Sequence, residues 1–118
     1  MVSERRAEEA IPPYRRAIEL DPSNAGIRYN YGIALAAAGR LPEAIEQFNA
    51  ALEGRPDYPE AHNYLGMALM MQGNREEAIR HFRQALWLKP DFTPARRNLD
   101  SALGNRNPQA PAGPPRTR

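Results

Sequence analysis

His62 and His81 are the first residues to test for chemistry, because imidazole moves protons and holds metals near neutral pH. They read onto different helices, with no carboxylate pair at ligand spacing beside them. Zinc ligation is therefore not expected, and both are read as solvated helix residues. Glu8-Glu9 and Glu76-Glu77 are adjacent acids near helix starts, where they complement the positive end of the dipole. A general acid–base pair needs a cleft and a perturbed environment, and the sequence offers no sign of one. With no cysteine there is no thiolate ligand, sulfur nucleophile or disulfide framework. Gly39 and Gly73 are isolated, so no phosphate-cradling loop is present. Tyr29 and Tyr64 present ring faces on which bases stack, but no basic stripe lies beside them. No catalytic residue, metal site or cofactor is expected.

The elements that carry these residues follow from composition and period. The chain has 118 residues, 42% of them hydrophobic and 25% charged, with a formal net charge of +2. That suits one small soluble domain. Arg and Glu alternate along most of it, as on solvated helical faces. No one-sided basic stripe points to a polyanion. No apolar run reaches membrane-spanning length, and residues 1–30 lack a signal-peptide core. A cytoplasmic chain contacting neither nucleic acid nor membrane is expected.

Sliding the sequence by 34 residues aligns Pro22, Pro56 and Pro90, Gly32 with Gly66, and Gly39 with Gly73. Ala44 with Ala78, Phe48 with Phe82 and Ala51 with Ala85 follow, and residues 25–58 and 59–92 share twelve identities. Chance at ordinary composition gives about two or three. Each unit reads as two helices. Ile27, Tyr31, Ala34, Leu35 and Ala38 keep helical spacing until Gly39 caps the run. Pro42 fits the first turn of the next helix, and Leu41, Ala44, Ile45, Phe48, Ala51 and Leu52 form its stripe. Arg55-Pro56 ends it, since proline disfavours helical geometry in the preceding residue. Antiparallel helices are expected at about 12–20, 25–38, 42–54, 59–72, 75–88 and 94–103, with Phe48, Phe82, Leu35 and Leu69 buried. Gly32 and Gly66, mid-helix at a cost of about 1 kcal/mol, mark close packing that admits Phe48 and Phe82.

Residues 10–103 resemble the tetratricopeptide repeat (TPR) family. The motif stands here as Tyr31-Gly32, Leu35, Ala44, Phe48, Ala51 and Pro56, and again as Leu65-Gly66, Leu69, Ala78, Phe82, Ala85 and Pro90. The frequent opening Trp of the family is replaced by Arg28 and His62. The resemblance implies an all-α, right-handed solenoid of antiparallel helix pairs. Two full repeats, 25–58 and 59–92, follow an N-terminal half repeat, 12–24. A closing helix, 93–103, covers the last apolar face, with Asp100 where Gly32 and Gly66 stood.

Both ends depart from the repeat. Pro12 and Pro13 fall inside the first helical stripe, and an interior proline costs ~3 kcal/mol. The reading is a helix that starts at Pro12, with residues 1–11 a frayed or short helical extension. The helix of Tyr14 then lacks a partner, and Ala10, Ile11, Tyr14 and Ile18 leave an apolar strip. A fold-back of residues 1–9, fraying, or a weak homodimer through this helix would meet that need. Residues 104–118 are rich in Pro, Asn and Arg and read as a disordered tail. Trp87, in the register of Glu19 and Glu53, is expected to pack on the closing helix or tail; a convex contact is the other reading.

The resemblance further implies that the first helices of the units line a concave groove. Its positions in this sequence are Tyr29, Asn30, Ile33 and Ala37, then Glu60, Asn63, Tyr64, Met67, Met70 and Met71, then Arg97 and Asn98. Met side chains adapt to varied apolar partners, Asn amides bond an extended backbone in both senses, and Arg97 suits a carboxylate. Met67 and Met70 also admit the reading that they fill core gaps between units. Family members that clamp a terminal carboxylate use Lys and Asn on the first helix of the set. Ile33 and Met67 stand where Asn would be wanted, so that clamp is not expected. The expected function is a protein–protein interaction module that binds another protein or peptide segment in the groove. A TPR region appended to a larger enzyme such as a glycosyltransferase, or a self-association module, are the alternatives.

Overall fold

The computed structural model describes residues 4–104. They form six helices: α1 (Glu4–Leu20), α2 (Ala25–Ala37), α3 (Leu41–Gly54), α4 (Pro59–Met71), α5 (Arg75–Leu88) and α6 (Thr93–Ala102). Each packs on its neighbours in sequence, and α4 also touches α2 and α6. Helices α2, α4 and α6 thus make one layer, with α1, α3 and α5 behind it.

The boundaries from α2 onward lie within a residue of those expected, because local chemistry sets them. Asn24 caps α2, its Oδ1 accepting from the Ile27 N–H at 3.0 Å. Pro42, Pro59 and Pro94 occupy first turns, where no N–H is missed. Gly39 and Gly73 end α2 and α4 at φ 81° and 84°. Past them the N–H groups of Arg40 and Asn74 reach back to the carbonyls of Leu35 and Leu69, each at 2.8 Å. That closure needs a left-handed residue, which glycine supplies without strain.

The core runs between the layers. Phe48, Phe82, Leu35 and Leu65 are its largest fully enclosed side chains, and Leu69 is buried beside them. A Cβ on Gly32 would lie 2.6 Å from Phe48 Cε1, and one on Gly66 2.5 Å from Phe82 Cε1. The rings occupy the space the glycines leave open.

Two expectations about the ends are corrected. Helix α1 does not start at Pro12: it runs unbroken from Glu4 with both prolines inside. Residues 4–11 neither fray nor fold back over Tyr14. Continuing the helix buries Ala7 and Ile11, an apolar gain that a helix starting at Pro12 forgoes. The carbonyls that the prolines leave without a helical partner are those of Glu8 and Glu9. Both residues are exposed, where water can take the place of the missing donors. The added turns also carry Glu8 to within 3.1 Å of Arg40 Nη1, while Arg40 Nε holds Glu43 at 2.8 Å. Trp87 is the second correction. It is 79% exposed, so neither α4 nor α6 covers it although both pack on α5. Gly104, at φ 87°, closes α6; the rest of the expected tail, 105–118, lies outside the described residues.

Candidate functional site

The face of α2, α4 and α6 away from the second layer is an open depression. Its main cleft has a volume of about 620 Å³ and is lined by Tyr29, Glu60, Asn63, Tyr64, Met67, Phe92, Thr93, Pro94, Arg97 and Asn98. Seven of the twelve positions assigned to the groove from sequence meet there. Asn30, Ile33 and Ala37 line a smaller cleft shared with Ala7, Ala10 and Tyr14 of α1. Met70 and Met71 line a third, beside Met67, Asn98 and Ser101. The groove is a series of adjoining hollows rather than one trough.

Its floor is aromatic. The Tyr29 ring lies 5.0 Å from that of Tyr58 and 5.7 Å, edge-on, from that of Tyr64. Tyr64 stacks on Phe48 at 6.0 Å, so the floor continues into the core. Burial first, then the nearby Tyr64, Tyr58 and Glu60, push the Tyr29 phenol well above its ordinary value. Burial raises Tyr58 as well, with Arg55 opposing and Glu60 adding. Both phenols stay neutral.

The polar groups are less open than expected. Asn63 is buried, and its Oδ1 accepts from Asn98 Nδ2 at 2.9 Å, tying α4 to α6. Its own amide nitrogen points at Met67 Sδ, 3.9 Å away. Asn63 therefore positions Asn98 and Met67 instead of offering both amide groups to a ligand. Glu60 lies 3.9 Å from Lys89 Nζ across the mouth. Arg97 is exposed and has no ion pair among the described residues. Met67 and Met71 present their side chains to solvent, at 37% and 69% exposure, whereas Met70 packs partly against the core. The gap-filling reading thus describes Met70 and not Met67.

Phe92, Thr93 and Pro94 belong to the cleft wall, and Tyr58 lies buried beneath it against Tyr29; none was among the positions read from sequence. A signal existed: Tyr58 and Phe92 are one period apart, each at a helix N-cap. Each also sits under a cation one period apart from the other, Arg55 at 4.2 Å and Lys89 at 5.0 Å.

The histidines are also corrected. They are not solvated singly: His62 is buried, and the two rings stack with their Nδ1 atoms 3.0 Å apart. They lie between α4 and α5, away from the groove lining. No three His, Cys, Asp or Glu side chains converge among the described residues as a metal site requires. No described helix is long and apolar enough to cross a membrane.

Stacked helix pairs with this spacing, buried Gly–Phe contacts and an open face on the first helices define a helical-repeat solenoid. Two family models, each described as tetratricopeptide repeat, match residues 2–59 and 59–92. The chain belongs to the tetratricopeptide repeat family. No curated protein matches it in sequence. Among solved structures it is similar to YrrB, described as a TPR protein with an unusual peptide-binding site. Identity there is 31% and the TM-score 0.75, over 79% of this chain and 48% of that one. The chain thus spans about half the length of that relative. The second TPR domain of human RPAP3, solved with an HSP70 peptide, is 28% identical with a TM-score of 0.79. The match covers 85% of this chain and 83% of that one. The first TPR domain of Spaghetti (RPAP3), at 24% identity and a TM-score of 0.81 over 84% of this chain and 79% of that one, agrees in fold.

Proposed function

We propose that this chain is a protein-interaction module and that the face of α2, α4 and α6 receives an extended, partly apolar segment of another polypeptide. One observation carries the reading. An open cleft of about 620 Å³ joins aromatic rings, the solvent-facing Met67 and the exposed Arg97 on one side of the repeat layer. Exposed apolar groups gathered beside a few fixed polar ones are what a binding surface requires. The peptide held by the human relative at 28% identity and the peptide-binding site ascribed to YrrB support the same reading. Binding draws on Met67 and Met71 for apolar contact, on the Tyr29 and Tyr64 rings for area, and on Arg97 for a partner carboxylate. The role is recognition without a chemical step. The histidines are committed to each other, and burial holds the Tyr29 phenol neutral.

Displayed libraries of extended peptides test this. The parent should enrich segments that carry an apolar side chain and an acid. Met67→Lys with Met71→Lys should weaken the selected peptides at least tenfold, about 1.4 kcal/mol or more, while helix content and melting temperature hold. Both Met residues are exposed, which makes them cleaner probes than Tyr64, whose ring also packs on Phe48. Equal enrichment by parent and variant rejects the groove as the site.

A further inference from the structure

The first helix of each full repeat is braced at the same place, by different chemistry. In the first repeat Arg28 Nε donates to the Pro22 carbonyl at 3.0 Å, and its Nη1 donates to Gln47 Oε1 at 3.0 Å. One period later His62 takes the place of Arg28, His81 that of Gln47 and Pro56 that of Pro22. The His62 Nε2 lies 3.1 Å from the Pro56 carbonyl oxygen, and His62 Nδ1 lies 3.0 Å from His81 Nδ1. Both braces run from a loop carbonyl, through the first helix, to the second. One is permanently charged and the other titrates.

The geometry fixes both tautomers. A carbonyl oxygen only accepts, so His62 Nε2 carries the proton that it donates to Pro56. In a neutral imidazole the other nitrogen is then an acceptor. His81 Nδ1 must therefore donate to His62 Nδ1, which leaves His81 Nε2 as the open acceptor. That atom faces Glu77 Oε2 at 4.0 Å. A first proton fits there: doubly protonated His81 keeps donating to His62 through Nδ1 and turns Nε2–H toward the Glu77 carboxylate. A second proton has only His62 Nδ1 left, and it sets N–H against N–H at 3.0 Å. The contact must then break. The unfolded chain takes up both protons without this conflict.

We propose that the His62–His81 contact is a proton-sensitive brace, which keeps one added proton and is released by the second, so that mild acid loosens the α4–α5 repeat and spares the repeat braced by Arg28 and Gln47. The groups around the pair agree. On α5, Glu77 favours a cation on His81 and Arg80 opposes one, while the α3–α4 connection presents the Pro56 carbonyl to His62. Burial is the largest influence on both imidazoles and holds each below its ordinary value, with His62 further lowering His81. Two coupled groups of this kind titrate as a pair, in two steps. Because the folded values are depressed, the unfolded chain binds more protons once pH falls below about 6.5. The stabilisation is complete above that pH and is lost as pH falls through the lower folded values.

The experiment exchanges one brace for the other. His62→Arg with His81→Gln installs the first repeat's pair in the second. Melting temperatures of parent and variant are compared from pH 8 to pH 5. Carboxylates away from the pair titrate alike in both, so the difference isolates the histidines together with Glu77 beside them. The parent should lose at least about 5 °C more than the variant over that range; parallel curves overturn the proposal. Nitrogen-15 NMR of the parent imidazoles decides the matter independently if the variant folds poorly. The expected result is a proton on His62 Nε2 and on His81 Nδ1 at pH 8, followed by two separated steps below the ordinary imidazole value. Two independent titrations at the ordinary value, or the opposite tautomers, overturn it.

Discussion

Gly66 and Phe82 share one volume, and substitutions at the two positions should fail in different ways. A methyl group on residue 66 falls 2.5 Å from Phe82 Cε1, and Phe82, 1% exposed, has nowhere to swing. Alanine favours a helix interior over glycine by about 1 kcal/mol, yet Gly66→Ala should destabilise the protein by about 1–3 kcal/mol through overpacking. Phe82→Ala should cost about 3–5 kcal/mol through the cavity it leaves. Urea unfolding measures both, and a Gly66→Ala protein more stable than the parent contradicts the packing. This contact was legible in sequence because both partners recur by identity in the preceding unit, as Gly32 and Phe48. The histidine pair was not. Its counterparts, Arg28 and Gln47, are chemically unlike it, so a comparison of identities passes over the register. Only the shared geometry, a polar side chain on each helix beside the same loop carbonyl, shows that the two pairs correspond. Asn63 lines the cleft where it was read, but its amide is less open than expected for a related reason. Its position faces the groove layer, but Asn98, one period further on and offset by one residue, folds over it and takes its carbonyl oxygen.

Among the elements, α1 is the one where local rules and packing disagree. Most ends of α2 to α6 fall where caps, first-turn prolines, left-handed glycines or the following Pro56 and Pro90 place them, all short-range signals that a sequence displays. Pro12 and Pro13 send an equally clear local signal, to start the helix there, and it is overridden. The buried Ala7 and Ile11 lie N-terminal to the prolines, and their value depends on α2, which a local reading does not weigh. The prolines themselves are exposed, so they contribute no core contact in return. Replacing both with alanine restores N–H donors to the Glu8 and Glu9 carbonyls and removes the ring clash, worth about 3 kcal/mol per site in a helix interior. Alanine also frees the unfolded chain, which returns about 0.4–1 kcal/mol. Pro12→Ala with Pro13→Ala should therefore stabilise the fold by about 2 kcal/mol per site, read as a higher melting temperature at unchanged helix stoichiometry. A melting temperature equal to or below the parent's means that α1 is not continuous in solution.

At the scale of the whole molecule, the repeat makes stability a matter of how many neighbours each helix has. Among the described residues α1 packs on α2 alone, whereas α4 packs on α3 and α5 and also touches α2 and α6. The most enclosed aromatic rings, Phe48 and Phe82, lie on α3 and α5, the two helices that flank α4. In such a nearest-neighbour array the free energy of local opening should grade with the interfaces that opening destroys. Native-state hydrogen exchange should accordingly find the slowest amides in α3 and α4 and faster ones in α6, with α1 the fastest. The interior of α4 should exchange only through global unfolding, because releasing it breaks every long-range contact of the groove layer. The gradient also bears on the proposed binding surface. The Tyr64 and Met67 part of the groove stands on α4, among the most protected helices, and Arg97 stands on a terminal one. A partner that bridges Met67 and Arg97 should therefore slow exchange in α6 more than in α4, since α6 has more local opening to suppress. A uniform exchange profile, or an α4 less protected than α6 in the free protein, contradicts a stability built from neighbouring interfaces.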